Sequence, residues 1–562
     1  MKKLSLQFLA LFLAPMICYS QVDYDKIKKA TDKVFIKNVI IHDKPGSTIE
    51  YGSILIEGGI IKEIGKKLNE PNDALILSAD SLHVYPAFID ALSHSTIKKK
   101  EDGDRPKVKF PGAPPDDVAG ITPGKSAFDD IDAESGDIKT MRELGFGISH
   151  IAPRGRMLPG QTAIVSLSGK TKNEILLKEN VAIYSQLRTS PGVFPSTMIG
   201  VLTKFRELYK QAEEANNYLT KYAASPLGMQ RPAYSEAVTS MIPITKKKQK
   251  VFFKAESAKD VHRVLALKKE LGFDLVLTDV KQVYPVIDKI KSSNVPVMVS
   301  LDLPEKPEEE EEEEEEKEDD KKDKEDEEEL TSEEMKKLKE RKAKAYNDYV
   351  SQLAKLDEAG VTFGFSWIKA KPKKMLENMQ TLIENGLSED TAMKGLTKVP
   401  AQLLGISNIV GTAEKGKLGN LIISTAPIFE EDSKIKFMIV DGEVFEYEIK
   451  KKKKKSDTGE EIDIAGTYTY EIDQFGASGT FVITNDDDDY KLIMTSADDG
   501  NEMNAKNVIR DGNSLSFDLK VEEDGFSMDV SVGLDFEDED FEGSVSTDFG
   551  AAPIEGSKVD PN

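Results

Sequence analysis

Histidine is the side chain best suited to metal or proton-transfer chemistry near neutral pH, and this chain has five: His42, His83, His94, His150 and His262. They are scattered, and His94 by itself makes a poor metal site. His150 ends the strand-like run 145–150 and could approach His94, whereas His42, His83 and His262 (beside Arg263) read as packed or exposed residues. A second candidate centre is built from ammonium and carboxylate groups. Lys254 and Glu256 share one face of a strand because side chains alternate, and Asp279 ends the strand that follows. An ammonium between two carboxylates could stand in for the charge of an ion and tie strand ends together; an ordinary salt bridge is the plainer account. Arg154 and Arg156, in the segment 153–161, could hold an anion, though a solvated loop explains them as well. The acidic runs 485–489 and 535–540 could collect calcium, but acidic hairpin turns account for them and EF-hand spacing is absent.

The elements that must position these residues alternate between strands and helices. Residues 251–254 form a strand pattern, followed from Ser257 by a helix with Val261, Val264, Leu265 and Leu271 at helical spacing; Ser257 and Asp260 are its capping residues. The strand 275–277, a helix carrying Val283, Val286, Ile287 and Ile290, and the strand 295–301 continue the series. Repeated βα units of this kind predict a parallel sheet, either a barrel or a doubly wound fold. An acidic tract at 308–329 interrupts the series directly after a strand, which is a loop position at the C-terminal face of a βα barrel. A helix through Met335, Leu338, Tyr346, Leu353 and Leu356 and a strand at 361–365 then resume it. Upstream, residues 34–41, 52–57 and 60–65 read as strands, with Gly58-Gly59 as a two-residue hairpin turn. Beyond residue 461, short alternating strands joined by Asp, Asn and Gly turns predict a small antiparallel barrel or sandwich.

Five ordered segments carry a resemblance to a known superfamily. Tyr85-Pro86-Ala87-Phe88-Ile89-Asp90-Ala91-Leu92-Ser93-His94 resembles the segment that opens the barrel in metal-dependent amidohydrolases, where the pattern is Pro-Gly-Phe-Ile-Asp-x-His-x-His. Gly145-Phe146-Gly147-Ile148-Ser149 looks like that family's Gly-Val-Thr-Thr segment, and Leu158-Pro159-Gly160-Gln161-Thr162-Ala163 resembles a glycine loop of its imidazolonepropionase-like branch. Residues 396–405 are similar to the segment that closes the barrel, and 416–422 and 438–442 to the returning β-domain. The resemblance spans about residues 30–447 and implies a distorted (β/α)8 TIM-like barrel inserted in a composite β-sandwich domain, with a C-terminal antiparallel, lipocalin-like β-domain. It also implies zinc or a similar ion that lowers the pKa of water and polarises a scissile carbonyl. The ligand positions are substituted. Leu92 and His94 stand for the first His-x-His, Lys254 and Glu256 for a second, Asp279 for another histidine, and Phe365-Ser366-Trp367-Ile368-Lys369 offers no carboxylate where a catalytic aspartate is expected.

Composition narrows the remainder. With 100 Asp and Glu against 76 Lys and Arg, the net charge of −24 excludes nucleic acid and anionic membranes as natural partners. Lys2 and Lys3, an apolar run to Ile17 and a small residue at Ser20 have the layout of a signal peptide, too short to span a bilayer comfortably. Cleavage after Ser20 would remove Cys18, the only cysteine. The expected organisation is a leader at 1–20, a composite β-domain at 21–85 and 405–449, a barrel at 86–404 with an acidic insertion at 305–330, a linker at 450–460 and a β-domain at 461–562. The charge runs can bury no core and read as solvated and mobile. The expectation is an exported, periplasmic or extracellular protein of amidohydrolase type. It carries no resident metal, is non-catalytic, and binds a small molecule through His94, His150, Lys254, Glu256 and Asp279 or supports an active relative. The rival is an active hydrolase of carbon–nitrogen bonds.

Overall fold

The computed structural model describes residues 26–27, 31–98, 108–169, 171–304, 306–307, 332–368, 374–447, 449 and 463–559, the last stretch apart from 473–476, 487–488, 498–499, 512, 524–525, 538–539 and 548–549. The expected leader, the acidic tract and the lysine run at 450–455 lie outside the described residues, as does part of each acidic run considered for calcium. The chain divides into two units, Met1–Ile449 and Lys450–Asn562.

The first unit opens with the strands Lys26–Ile27, Lys33–Lys44, Ser47–Glu57 and Ile60–Gly65. Gly58 and Gly59 turn the chain between the last two at φ of 58° and 75°, a left-handed conformation that glycine adopts without a Cβ clash. The strands Leu421–Ser424, Ile435–Val440 and Glu443–Glu446 return from the far end of the chain to complete a nine-stranded sheet. Its strands share a core that includes Val34, Ile36, Ile54, Leu421 and Ile439. Lys33–Lys44 is central to the sheet: with register breaks along its length it pairs with Ser47–Glu57 along one edge and with both Leu75–Ser78 and His83–Pro86 along the other.

Eight strands follow: β1 (Phe88–Ser93), β2 (Phe146–Ile151), β3 (Gly160–Gln161 continued by Ala163–Ser166), β4 (Ala182–Gln186), β5 (Lys250–Lys254), β6 (Leu275–Val280), β7 (Val297–Ser300) and β8 (Phe363–Ser366). β1 and β2 pair in parallel, as do β4 to β8 in succession, and β3 runs antiparallel between the two groups. Backbone bonds join the groups at both sides. Thr162 N–H donates to Ala182 O (2.8 Å), and Trp367 N–H at the end of β8 donates to Leu92 O in β1 (2.9 Å). Parallel strands buried on both faces sort their side chains by alternation. Val251 and Phe253, Leu275 and Leu277, Val297 and Val299 pack with the helices, among them Val261, Val264 and Leu265 of Ala258–Leu271. Phe252, Val276 and Met298 face the other way, into a core shared with Ile89, Leu92, Ile148, Ile164 and Tyr184.

The second unit is a nine-stranded antiparallel sheet that closes almost completely on itself. Glu502–Asn504 pairs with one edge strand, Asp489–Ser496, and Lys506–Asp511 pairs with the other, Ser514–Glu523, so a single run of chain bridges both edges. Alternation puts Tyr468, Tyr470, Phe481, Ile483, Phe517, Leu519, Phe536 and Phe541 into its filled interior. This is a barrel, the first of the two architectures its turn pattern allows.

Candidate functional site

The inward faces of β4, β5 and β6 are in register. Phe252 lies opposite Tyr184 and Val276, and Lys254 lies opposite Gln186 and Thr278. Lys254 therefore follows Phe252 on the inner face, one step closer to the C-terminal end. Strict alternation from Val276 and Thr278 would turn Asp279 outward. Its φ of 53° and the register break between Leu277 and Val280 swing it inward instead. An aspartate tolerates this left-handed conformation better than most residues, but the strain persists only where surrounding contacts fix it.

Those contacts are ionic. Lys254 Nζ lies 2.8 Å from Asp279 Oδ2 and 3.0 Å from Glu256 Oε1. Asp279 is fully buried, the Lys254 side chain keeps 14% of its exposure and Glu256 keeps 36%, so the cluster opens to solvent on the Glu256 side. Ser366 Oγ, at the end of β8, donates to the second Asp279 oxygen at 3.3 Å. Burial pushes the Asp279 carboxyl above its ordinary range; the Lys254 ammonium opposes this and the like charge of Glu256 adds to it. Tyr349, in the helix Ser332–Val350, donates to Asp302 O (3.1 Å), and burial raises its hydroxyl, with Asp302 and Asp279 adding to the rise.

His94 follows β1 at the same mouth. Its Nδ1–H donates to Ala152 O (2.8 Å), which leaves Nε2 as a bare acceptor in the neutral ring. Burial depresses its pKa to about 4, with the charges of Arg154 and Lys254 acting in the same direction. Tyr184 meets His94 edge-on at 5.7 Å between ring centroids. Its hydroxyl is buried without a hydrogen-bond partner, and burial holds its pKa far above the usual phenol range, with Asp279 and Glu256 adding to the rise. Arg154 donates to His94 O (3.3 Å) and Arg188 to Gly155 O (3.3 Å), while Arg156 is tied to Thr189 O (2.6 Å).

The structure thus gathers His94, Lys254, Glu256 and Asp279, but not His150. His150 lies deeper, fully buried, with Nδ1–H donating to Ala91 O and Nε2 facing Thr162 Oγ1, both at 2.7 Å. The strand Phe146–Ile151 runs one residue past it, so it packs inside the ring as a neutral brace with its pKa held near 4 by burial. His42 and His83 stack with Tyr85 in the nine-stranded sheet, their Nε2 and Nδ1 3.1 Å apart, and His262 is exposed beside Lys289. Sequence reasoning missed Tyr184, Arg188, Tyr349 and Ser366. Only Ser366 had a signal, since it lies in the stretch where an aspartate was sought.

No family model matches the sequence, and no curated protein does. Solved structures do. An amidohydrolase from Thermotoga maritima, 19% identical, superposes with a TM-score of 0.58 over 74% of this chain and 100% of that one. The fold is that of an amidohydrolase. Looser likenesses are a prolidase solved with N-methylphosphonate-L-proline (12% identical, TM-score 0.43, 74% of this chain and 100% of that one) and a β-aspartyl dipeptidase from Fervidobacterium islandicum (13%, 0.40, 75% and 99%). Leu92 is fully buried in the inner apolar core, an ammonium sits on β5, and Ser366 stands at the end of β8. These residues do not fit a divalent ion: the space between the two carboxylates is taken by Lys254 Nζ, a cation that cannot act as a ligand while charged.

Proposed function

We propose that the first unit is a distorted (β/α)8 barrel of amidohydrolase type that works without a metal and without hydrolysis, binding a small zwitterionic or amide-bearing molecule at the C-terminal mouth of its strands. The observation that carries this reading is the Lys254 ammonium held between Glu256 and Asp279, which puts a fixed protein charge where the resemblance calls for an ion. An ion could coordinate water and lower its pKa to make a nucleophile; an ammonium paired with two carboxylates has no coordination site to do so, but it can orient a polar ligand. On this reading the protein is exported by its N-terminal leader, and it acts alone or beside a catalytic relative. No helix among the described residues is long and apolar enough to cross a membrane.

Two measurements test the reading. Elemental analysis of the purified mature protein should find well under one equivalent of zinc, manganese or iron. A thermal-shift screen of amides, dipeptides and amino-acid derivatives should find stabilisers, since a ligand that binds only the folded state raises apparent stability, and Lys254→Ala should abolish their shift. A stoichiometric, chelator-sensitive metal accompanied by turnover of an amide or dipeptide would restore the rival reading of an active carbon–nitrogen hydrolase.

A further inference from the structure

We propose that His42 and His83, on neighbouring strands of the nine-stranded sheet, form a chelating pair for a divalent transition-metal ion, copper(II) above all. The pair belongs to the β-domain, and the reading of the barrel mouth neither needs this ion nor changes with it.

The strands build the pair. Lys33–Lys44 and His83–Pro86 run parallel, with Ile40 opposite His83 and Ile41 opposite Val84. Ile41 and Val84 point into the core of the sheet, so alternation turns His42, His83 and Tyr85 to the other face. There His42 stacks on Tyr85 with its ring parallel at 4.2 Å between centroids, which fixes the plane of the imidazole. The His42 and His83 rings are within 11° of parallel, but their centroids are 5.3 Å apart, and Nε2 of one lies 3.1 Å from Nδ1 of the other. Nitrogens meet here, not ring faces. Two nitrogens that bind one ion at about 2.0–2.1 Å, with about 90–109° between the bonds, stand about 2.8–3.4 Å apart. The pair is already at that separation.

The surroundings suit an ion as well. Burial lowers the pKa of His42 to about 4 and lowers that of His83, so both rings are neutral near pH 7 and keep lone pairs. The one proton between Nε2 and Nδ1 has somewhere to go when an ion takes its place. His42 Nδ1 faces Thr48 Oγ1 at 3.3 Å, an outer hydrogen bond of the kind that orients a metal-bound imidazole. Glu430 supplies negative charge. Ile428 N–H donates to Tyr85 Oη at 3.4 Å, which holds the loop carrying Glu430 near enough for its charge to act on both His83 and Tyr85. Both histidines are half-buried and Glu430 is exposed, so water can complete the coordination. Two imidazoles with oxygen donors bind copper(II) more tightly than nickel(II) or zinc.

The test is titration of the mature protein, without a histidine tag and stripped with chelator, using copper(II) and zinc(II). Calorimetry should show one equivalent of copper bound at micromolar concentration, more tightly than zinc. Electron paramagnetic resonance of the copper complex should show splitting from two imidazole nitrogens. His42→Gln and His83→Gln, which keep a polar side chain at each place, should each weaken copper binding at least roughly tenfold, with circular dichroism confirming that the variants are folded. His94→Ala should leave copper binding in place. Splitting from fewer than two nitrogens, or an affinity that survives both glutamine substitutions, would overturn the inference and leave the mouth reading untouched. Copper lost in His94→Ala but kept in His42→Gln would put the ion at the mouth and sink the metal-free reading with it. No saturable binding at micromolar copper would reduce the pair to a hydrogen bond between two rings.

Discussion

Lys254 is the residue on which the mouth depends, because it is the only cation within salt-bridge distance of the fully buried Asp279 among the described residues. Lys254→Met should destabilise the first unit by about 3–5 kcal/mol, the range for removing one partner of a buried ion pair. Adding Asp279→Asn should recover much of that loss, since the orphaned charge goes with it. Urea unfolding of the two variants checks both steps, and the loss in Lys254→Met should grow with rising pH as the uncompensated carboxyl ionises. Recovery that fails to appear would mean that Lys254 acts through packing alone. The pairing of Lys254 with Glu256 was legible because it follows from alternation along a strand. Asp279 was legible only as a strand-end residue; its inward turn depends on a positive φ that no neighbouring residue announces. His150 misled because a sequence gives its place along a strand but not its depth within a ring of strands. Tyr184 carried no signal at all, being one apolar-looking residue in a short strand.

Elements hold these residues in place, and the joint between β1 and β2 is sensitive to pH. Asp90 is fully buried on β1 and accepts from Ser149 Oγ on β2, and Ser93, Ser95 and Ser149 link their hydroxyls across the turn that carries His94. Burial pushes the Asp90 carboxyl up to about 7, against the pull of these hydrogen bonds. The raised value means that the folded chain keeps a proton which the unfolded chain releases near 3.8. The Asp90 contribution to stability is therefore fully present below that value and is lost as pH rises to about 7. Asp90→Asn cannot lose it, so the stability of the variant relative to the unaltered chain should climb between pH 4 and pH 7 and then level off. A flat difference would show that Asp90 is ionised in the folded protein. Other element-level features are local and were readable. Ser257 caps the helix Ala258–Leu271 by accepting from Asp260 N at 3.2 Å, as its position before the apolar periodicity predicts. Ser257→Ala should cost about 1 kcal/mol, measured by the same unfolding assay.

At the scale of the whole molecule, the βα alternation was legible because each unit of it spans few residues, whereas the join of β8 to β1 through Trp367 and Leu92 links distant parts of the chain and leaves no local mark. The same contrast separates the two units. The first draws its β-domain from both ends of residues 26–446, so its integrity depends on contacts far apart in sequence. The second is built from consecutive antiparallel strands around a separate core, and its turn residues alone announce it. A unit with its own filled core and few long connections should unfold as its own cooperative step. Phe481 is the sharpest probe, being fully buried and packed against Tyr468 at 5.2 Å and Phe541 at 5.0 Å between ring centroids. Phe481→Ala removes that packing and should cost about 3–5 kcal/mol, the range for emptying a buried aromatic position. Differential scanning calorimetry of the full chain should then show one transition shifted down by several degrees and a larger one unmoved. A single transition that moves as a whole would mean that the two cores fold as one, and the division at residue 449 would be a feature of shape without thermodynamic meaning.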